Sequence, residues 1–484
     1  MGEARRRGTF TERAEAAIKR NKAQLAKNIS DLDADNAELL RVGLRAFLQQ
    51  LSADAWRARR ESIVQHLKGI TVAKGLAQAP SVRVPTDEIG WYLFLAQQAL
   101  EDPLCLDVNQ ASRALPFIVG IGDRWKHAAR VQGLDRKIKE VLNDRKAEPD
   151  GLIFEILVAL SYAERGWEVE LLKERPPDKS PDMVARKGDK TLYVECKRQS
   201  RRAAYAEKER NDFLRLWHAA REVLISKRQW VWMKAAFHVE VASLPADYLS
   251  AIVQRILPLR EPEALVHDDG KVTIHARQID ELAVQSHLQK FRVKSNSPML
   301  IKLLGGDWAP LNSATTFLNL CKTSHVVGCE ARILGTYIDE IAWACGVTRK
   351  FDSEISIEKN ARDVKNLLAE AVRQVPDDVP SVIHIGVETE YPDVERRRTE
   401  KVMTSIPSFI FDRPVLGVRL HLFQANQTID KLWEFDETVE KFQLDGAKLD
   451  DTPSRAVIPT RFELIPGRHW ELYGGESATD SVKR

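Results

Sequence analysis

Four side chains near the middle of this sequence could do chemistry together: Glu155, Asp182, Glu195 and Lys197. Three of them are carboxylates, hard oxygen donors of the kind that hold Mg²⁺, an ion that keeps part of its water shell and favours sites built from a few carboxylates plus a substrate phosphate. Mn²⁺ is the expected substitute. Such an ion makes hydroxide available near neutral pH and neutralises charge building up on a phosphodiester. An ammonium beside it can orient the attacking water and steady the transition state. The set therefore suits hydrolysis of a phosphodiester, provided the chain brings the four groups to one place.

The flanking sequence supplies elements that could do so. Leu152, Ile153, Ile156, Leu157 and Leu160 recur at helical spacing, which predicts a helix over Gly151 to Arg165 that ends at Gly166 and carries Glu155. Trp167 to Leu172 reads as a strand, Glu174 to Ser180 as a polar turn, and Asp182 to Arg186 as a second strand leading into the Lys187-Gly188-Asp189 turn. A third strand, Thr191 to Arg198, alternates: Leu192, Val194 and Cys196 on one face, Tyr193, Glu195, Lys197 and Gln199 on the other. The hairpin would set Asp182 beside Glu195, and the helix can bring Glu155 to the same end of the sheet.

This ordered set resembles the PD-(D/E)xK nuclease superfamily, whose motif stands here as Pro181-Asp182 followed by Glu195-Cys196-Lys197, with Glu155 at the helical acidic position. The resemblance covers Glu155 to Lys197 and implies a restriction-endonuclease-like fold, a central mixed sheet flanked by helices. It further implies Asp182, Glu195 and Glu155 as metal positions for Mg²⁺, and Lys197 as the residue that places the nucleophile. The product would carry a 5′-phosphate and a 3′-hydroxyl. DNA is the substrate it implies, cut by an endonuclease with a role in prokaryotic restriction or antiviral defence against phage. The alternative is a nuclease-like protein that only grips nucleic acid or a partner as a scaffold, whose mark would be a missing carboxylate or lysine; none of the four is missing. Cutting both strands takes two sites, so a homodimer or a partner protein is a further expectation.

Across 484 residues the formal net charge is only +3, so attraction to nucleic acid must come from local patches. No stretch approaches a membrane span, and the N-terminus lacks the apolar segment of a secretory signal, which predicts a cytoplasmic protein. Five scattered cysteines predict reduced thiols. Cys321, His325 and Cys329 would share one face if helical, but frequent burial of thiols is the simpler account.

Residues 1–145 read as an all-helical region, with helices expected over Phe10 to Ile29, Ala34 to Gln50, Asp54 to Lys68 and Ile89 to Leu100. Two readings of it stand side by side: a DNA grip using its basic residues, or a partner-binding or dimerising unit whose charges are solvated. Residues 146–257 form the expected nuclease core. Beyond Lys197, the basic run from Arg198 to Arg228 predicts a cationic helix placed to hold a phosphate backbone, with Arg201 and Arg202 the favoured contacts and Gln199 touching substrate. Phe237 to Leu244 reads as a strand that would extend the sheet. In residues 258–473 a helix over Arg362 to Val375 and a strand over Ser381 to Glu388 predict α/β packing, either completing the nuclease sheet or forming a separate domain. His384 and His421 read as core histidines, and residues 474–484 as a disordered tail.

Overall fold

The computed structural model describes residues 34–70, 84–173, 180–199, 204–291, 314–388, 411–426 and 433–444, and parts of 293–306, 397–409 and 449–464. The helix expected over Phe10 to Ile29, most of the turn after Glu174, Arg201, Arg202 and the tail lie outside the described residues. The chain is mixed α/β with two mixed sheets. No helix among the described residues is long and apolar enough to cross a membrane.

In chain order the elements are α1 (Ala34–Leu48), α2 (Ala53–Gly69), α3 (Glu88–Glu101), α4 (Val108–Arg124), β1 (Val131–Gln132), α5 (Leu134–Asn143), α6 (Asp150–Glu164), β2 (Glu168–Leu171), β3 (Met183–Lys187) and β4 (Lys190–Arg198). Then come α7 (Ala204–Lys227), β5 (Val231–Phe237), α8 (Tyr248–Ile256), β6 (Glu263–Asp268), β7 (Val272–Gln278), α9 (Glu281–Lys290), β8 (Val293–Lys294), α10 (Pro298–Leu303), β9 (Ala314–His325) and β10 (Thr336–Phe351). Last are α11 (Glu354–Val372), β11 (Ser381–Glu388), β12 (Val415–Asn426), β13 (Trp433–Gln443) and β14 (Glu463–Leu464).

The first sheet runs β1-β2-β3-β4-β11-β12-β13-β14. Strands β2, β3 and β4 form an antiparallel meander; β11 then pairs in parallel with β4 and with β12. The sequence of β11, SVIHIGVE, is nearly unbroken in apolar character because both of its faces are covered. Ile383, Ile385 and Val387 pack with Val364, Leu368 and Val372 of α11, while Val382 joins the core shared by α6 and the N-terminal helices. Those helices are part of that core: α6 is buried from Leu152 to Ala163, and α1 and α4 cross closely through Gly43 and Gly122. A Cβ on Gly122 would meet the Leu39 carbonyl oxygen at 1.9 Å, so only glycine allows this approach.

The second sheet, β6-β7-β5-β10-β8 with β9 paired to β10, occupies the chain between β4 and α11. Helices α7 and α8 cover one face: Phe213, Leu216, Trp217 and Leu224, with Leu249 and Val253, pack on Val231, Met233 and Phe237. The strand expected over Phe237 to Leu244 is therefore displaced. The strand is Val231–Phe237, it belongs to the second sheet, and a short 3-10 turn at Val241–Ser243 follows it. The sequence VWMKAAF hid it, since its alternate positions are apolar on both sides. Residues 146–257 are thus divided between the two sheets.

Candidate active site

The β3–β4 hairpin turns through Gly188, whose φ of +60° is one that side-chain-bearing residues rarely adopt. Its register sets Met183 opposite Val194, so Asp182 falls beside Glu195. Two hydrogen bonds fix the pair: the Asp182 N–H donates to Glu195 Oε2 at 3.2 Å, and the Cys196 N–H donates to Asp182 Oδ2 at 2.7 Å. Along β4 the side chains alternate, with Leu192, Val194 and Cys196 in the core shared with α6. The other face does not simply look into water. Glu195 is fully buried, and Tyr193 and Lys197 are half-buried.

Lys197 Nζ lies 2.6 Å from Glu195 Oε1 and also donates to Gln374 Oε1, in the turn that follows α11. Glu155, buried on α6, accepts from Lys137 Nζ at 2.8 Å; Lys137 comes from α5, where Leu134, Ile138, Val141 and Leu142 mark the buried side. The structure therefore brings Glu155, Asp182, Glu195 and Lys197 to one place and adds two residues, Lys137 and Gln374. Lys137 stands between buried positions of an amphipathic helix, a signal visible in the sequence. Gln374 follows the end of α11 in no periodic pattern, and nothing local marks it.

The electrostatics follow from burial of like charges. Burial first, and Asp182 next, push the Glu155 carboxyl up to about 8 against the pull of Lys137. Burial and then Glu195 push Asp182 up to about 8, against Lys197 and the Cys196 N–H. Burial likewise pushes Glu195 up to about 7, with Lys197 opposing and Glu155 adding to the rise. Lys137 and Lys197 are both raised: burial works against their charge, and the neighbouring carboxylates overcome it.

Hard oxygen donors crowded until their charges conflict are what a divalent cation relieves, so the donor set at Asp182 and Glu195 fits Mg²⁺ or Mn²⁺. Among the described residues no three His, Cys, Asp or Glu side chains stand ready-made as a metal cage. Glu155 and Glu195 are each engaged by an ammonium.

Gln199 is half-buried just past β4 and donates its backbone N–H to the Gly386 carbonyl at 2.8 Å. Arg198 points into a buried network on the other side. It donates to Glu388 at 2.8 Å and lies over the Phe117 ring at 4.1 Å. Arg113 of α4 grips both oxygens of Glu388 at 2.6 Å and reaches Asp150 at 2.8 Å.

His384 and His421 are core histidines hydrogen-bonded to each other at 2.9 Å, with His421 also on Glu437 at 2.6 Å. The cysteines differ from expectation. Cys105 and Cys329 are paired, with Cα atoms 6.0 Å apart, while Cys196 and Cys345 are free and buried. Cys321 and His325 lie on strand β9 and Cys329 in the turn after it, so no helix aligns the three. No family model, curated protein or solved structure matches the chain.

Proposed function

We propose that this chain is a Mg²⁺-dependent endonuclease that hydrolyses DNA phosphodiester bonds on a restriction-endonuclease-like core. The observation that carries the reading is the meeting of Glu155, Asp182, Glu195 and Lys197 at one end of a mixed sheet, from three different elements. The succession of α6, the meander β2–β4, and then α11 and β11 pairing in parallel with β4 supports the fold reading.

Asp182 and Glu195 would hold the ion, with Glu155 beside them. When bound, Mg²⁺ supplies Lewis-acid stabilisation of a phosphoryl oxygen and a lowered pKa for water. The chain's own residues do the rest. Glu195 and Gln374 fix the Lys197 ammonium, which orients the attacking water and meets the charge that develops on the phosphate oxygens. The Cys196 N–H fixes the Asp182 carboxylate, so the hairpin itself sets the spacing of the two acidic groups.

The test is cleavage of supercoiled and linear DNA by the purified chain in Mg²⁺, Mn²⁺ or EDTA, beside Asp182→Ala and Lys197→Ala. Cutting that needs metal and is lost in both variants is the expected result. Equal cutting by both variants and the parent would overturn the assignment.

A further inference from the structure

Two ammonium groups stand in the carboxylate cluster, and the Glu-x-Lys motif accounts for only one of them. Lys137 is 4% exposed, and its Nζ lies 2.8 Å from Glu155 Oε2 and 3.7 Å from Glu140 Oε2. At the other end Lys197 lies 2.6 Å from Glu195. One lysine thus sits on each glutamate, and Asp182 interacts with both glutamates and both lysines. Ionised, the four carboxylates of Glu140, Glu155, Asp182 and Glu195 and the two ammoniums leave two net negative charges. One divalent ion neutralises them, and a second would leave two positive charges in a largely buried site, where unpaired charge is most costly.

We propose that the Lys137 ammonium fills the position a second divalent ion would take, so that the site holds one metal ion, on Asp182 and Glu195, and Glu155 is a carboxylate anchored by lysine. Lys137 is then a positioning residue: it holds Glu155 and limits the metal count without touching substrate. This inference rests on the metal-dependent reading above. A lysine with a purely structural part would affect stability alone and leave the metal count unchanged.

The experiment counts Mn²⁺ bound per full-length chain, by calorimetry and by the electron paramagnetic resonance signal of free Mn²⁺, with no turnover involved. The parent chain is expected to bind one ion, Lys137→Met two, and Lys137→Arg, which keeps the charge, one. Glu155→Gln, which leaves Lys137 in place, is expected to keep one ion and tests the idea even if Lys137→Met does not fold. Two ions on the parent chain, an unchanged count in folded Lys137→Met, or loss of the ion in Glu155→Gln would each overturn the proposal. Asp182→Asn separates the two layers. If it binds at least tenfold more weakly than the parent, the metal reading stands whatever Lys137 does. If parent and variants alike bind no Mn²⁺, the metal reading falls and this inference with it.

Discussion

Replacing Asp182 with Asn should make the protein more stable in EDTA at pH 8, although it removes a central group of the site. The carboxyl is crowded by Glu195 and by burial, and its folded value is pushed up to about 8. A carboxyl raised on folding contributes stability that is fully present below its unfolded value, near 4, and lost as pH rises toward 8. Each unit in that window is worth about 1.4 kcal/mol. The ceiling near pH 8 is therefore about 5–6 kcal/mol. Three carboxyls share protons and two lysines offset part of the repulsion, so one substitution should recover roughly 1–2 kcal/mol of it. The replacement amide keeps a carbonyl oxygen for the Cys196 N–H, so the hairpin hydrogen bond survives.

Thermal melts in EDTA at pH 5.5, 7 and 8 should show a growing advantage for the Asp182→Asn variant, about 1–2 °C per kcal/mol at the alkaline end for a chain of 484 residues. Adding 10 mM Mg²⁺ should then stabilise the parent by about 1.4 kcal/mol, for a dissociation constant of about 1 mM, and the variant by about 0.4 kcal/mol or less. A variant less stable than the parent at pH 8 in EDTA, or an advantage that does not grow with pH, would refute the reasoning.

Other consequences can be checked together. DNA cleavage at a fixed, sub-saturating Mg²⁺ concentration should rise with pH between 6 and 8, because protons compete with the ion for Asp182 and Glu195 at the acid end of that range; a flat profile would contradict the crowding. Gln374→Ala should lower the cleavage rate about tenfold with little change in substrate binding, measured as kcat against KM, because it removes one of the two groups that hold the Lys197 ammonium, leaving Glu195. Arg113→Met should destabilise the fold by about 3–5 kcal/mol in urea titrations, since it removes one of the two guanidiniums that, among the described residues, pair with the Glu388 carboxylate. Gly122→Ala should cost about 2–3 kcal/mol in the same assay, because the added methyl meets the Leu39 carbonyl oxygen.

What was legible in the sequence was what the chain builds locally. Glu155, Asp182, Glu195 and Lys197 lie on consecutive elements, and the alternation of β4 and the short hairpin turn determine their meeting without help from distant residues. The partner of β4 on its other side was harder to read. Strand β11 begins at Ser381, beyond an entire second sheet, and the run VIHIGV indicates a buried strand without saying what it pairs with. Lys137 shows a different failure: it sits among the inward positions of α5, yet a lysine there reads as solvated until a buried carboxylate is known to face it. The thiols misled because Cys105 and Cys329 meet only in the folded chain, 224 residues apart.

The buried network around Arg113 changes how the N-terminal helices should be understood. Both sequence readings, a DNA grip and a partner-binding unit, treat them as a separate attachment to a nuclease core. Arg113 of α4 instead holds Glu388 at the end of β11 and Asp150 at the start of α6. Glu388 in turn holds Arg198, the residue after Lys197. Burial works against the Glu388 charge, yet Arg113 and Arg198 keep its carboxyl below the usual range, so the clasp stays ionised down to acid pH. The α4 helix thus fixes the ends of the two elements that carry Glu155 and Lys197. Any surface these helices offer to DNA or protein is joined to strand β4 through Arg113, Glu388 and Arg198.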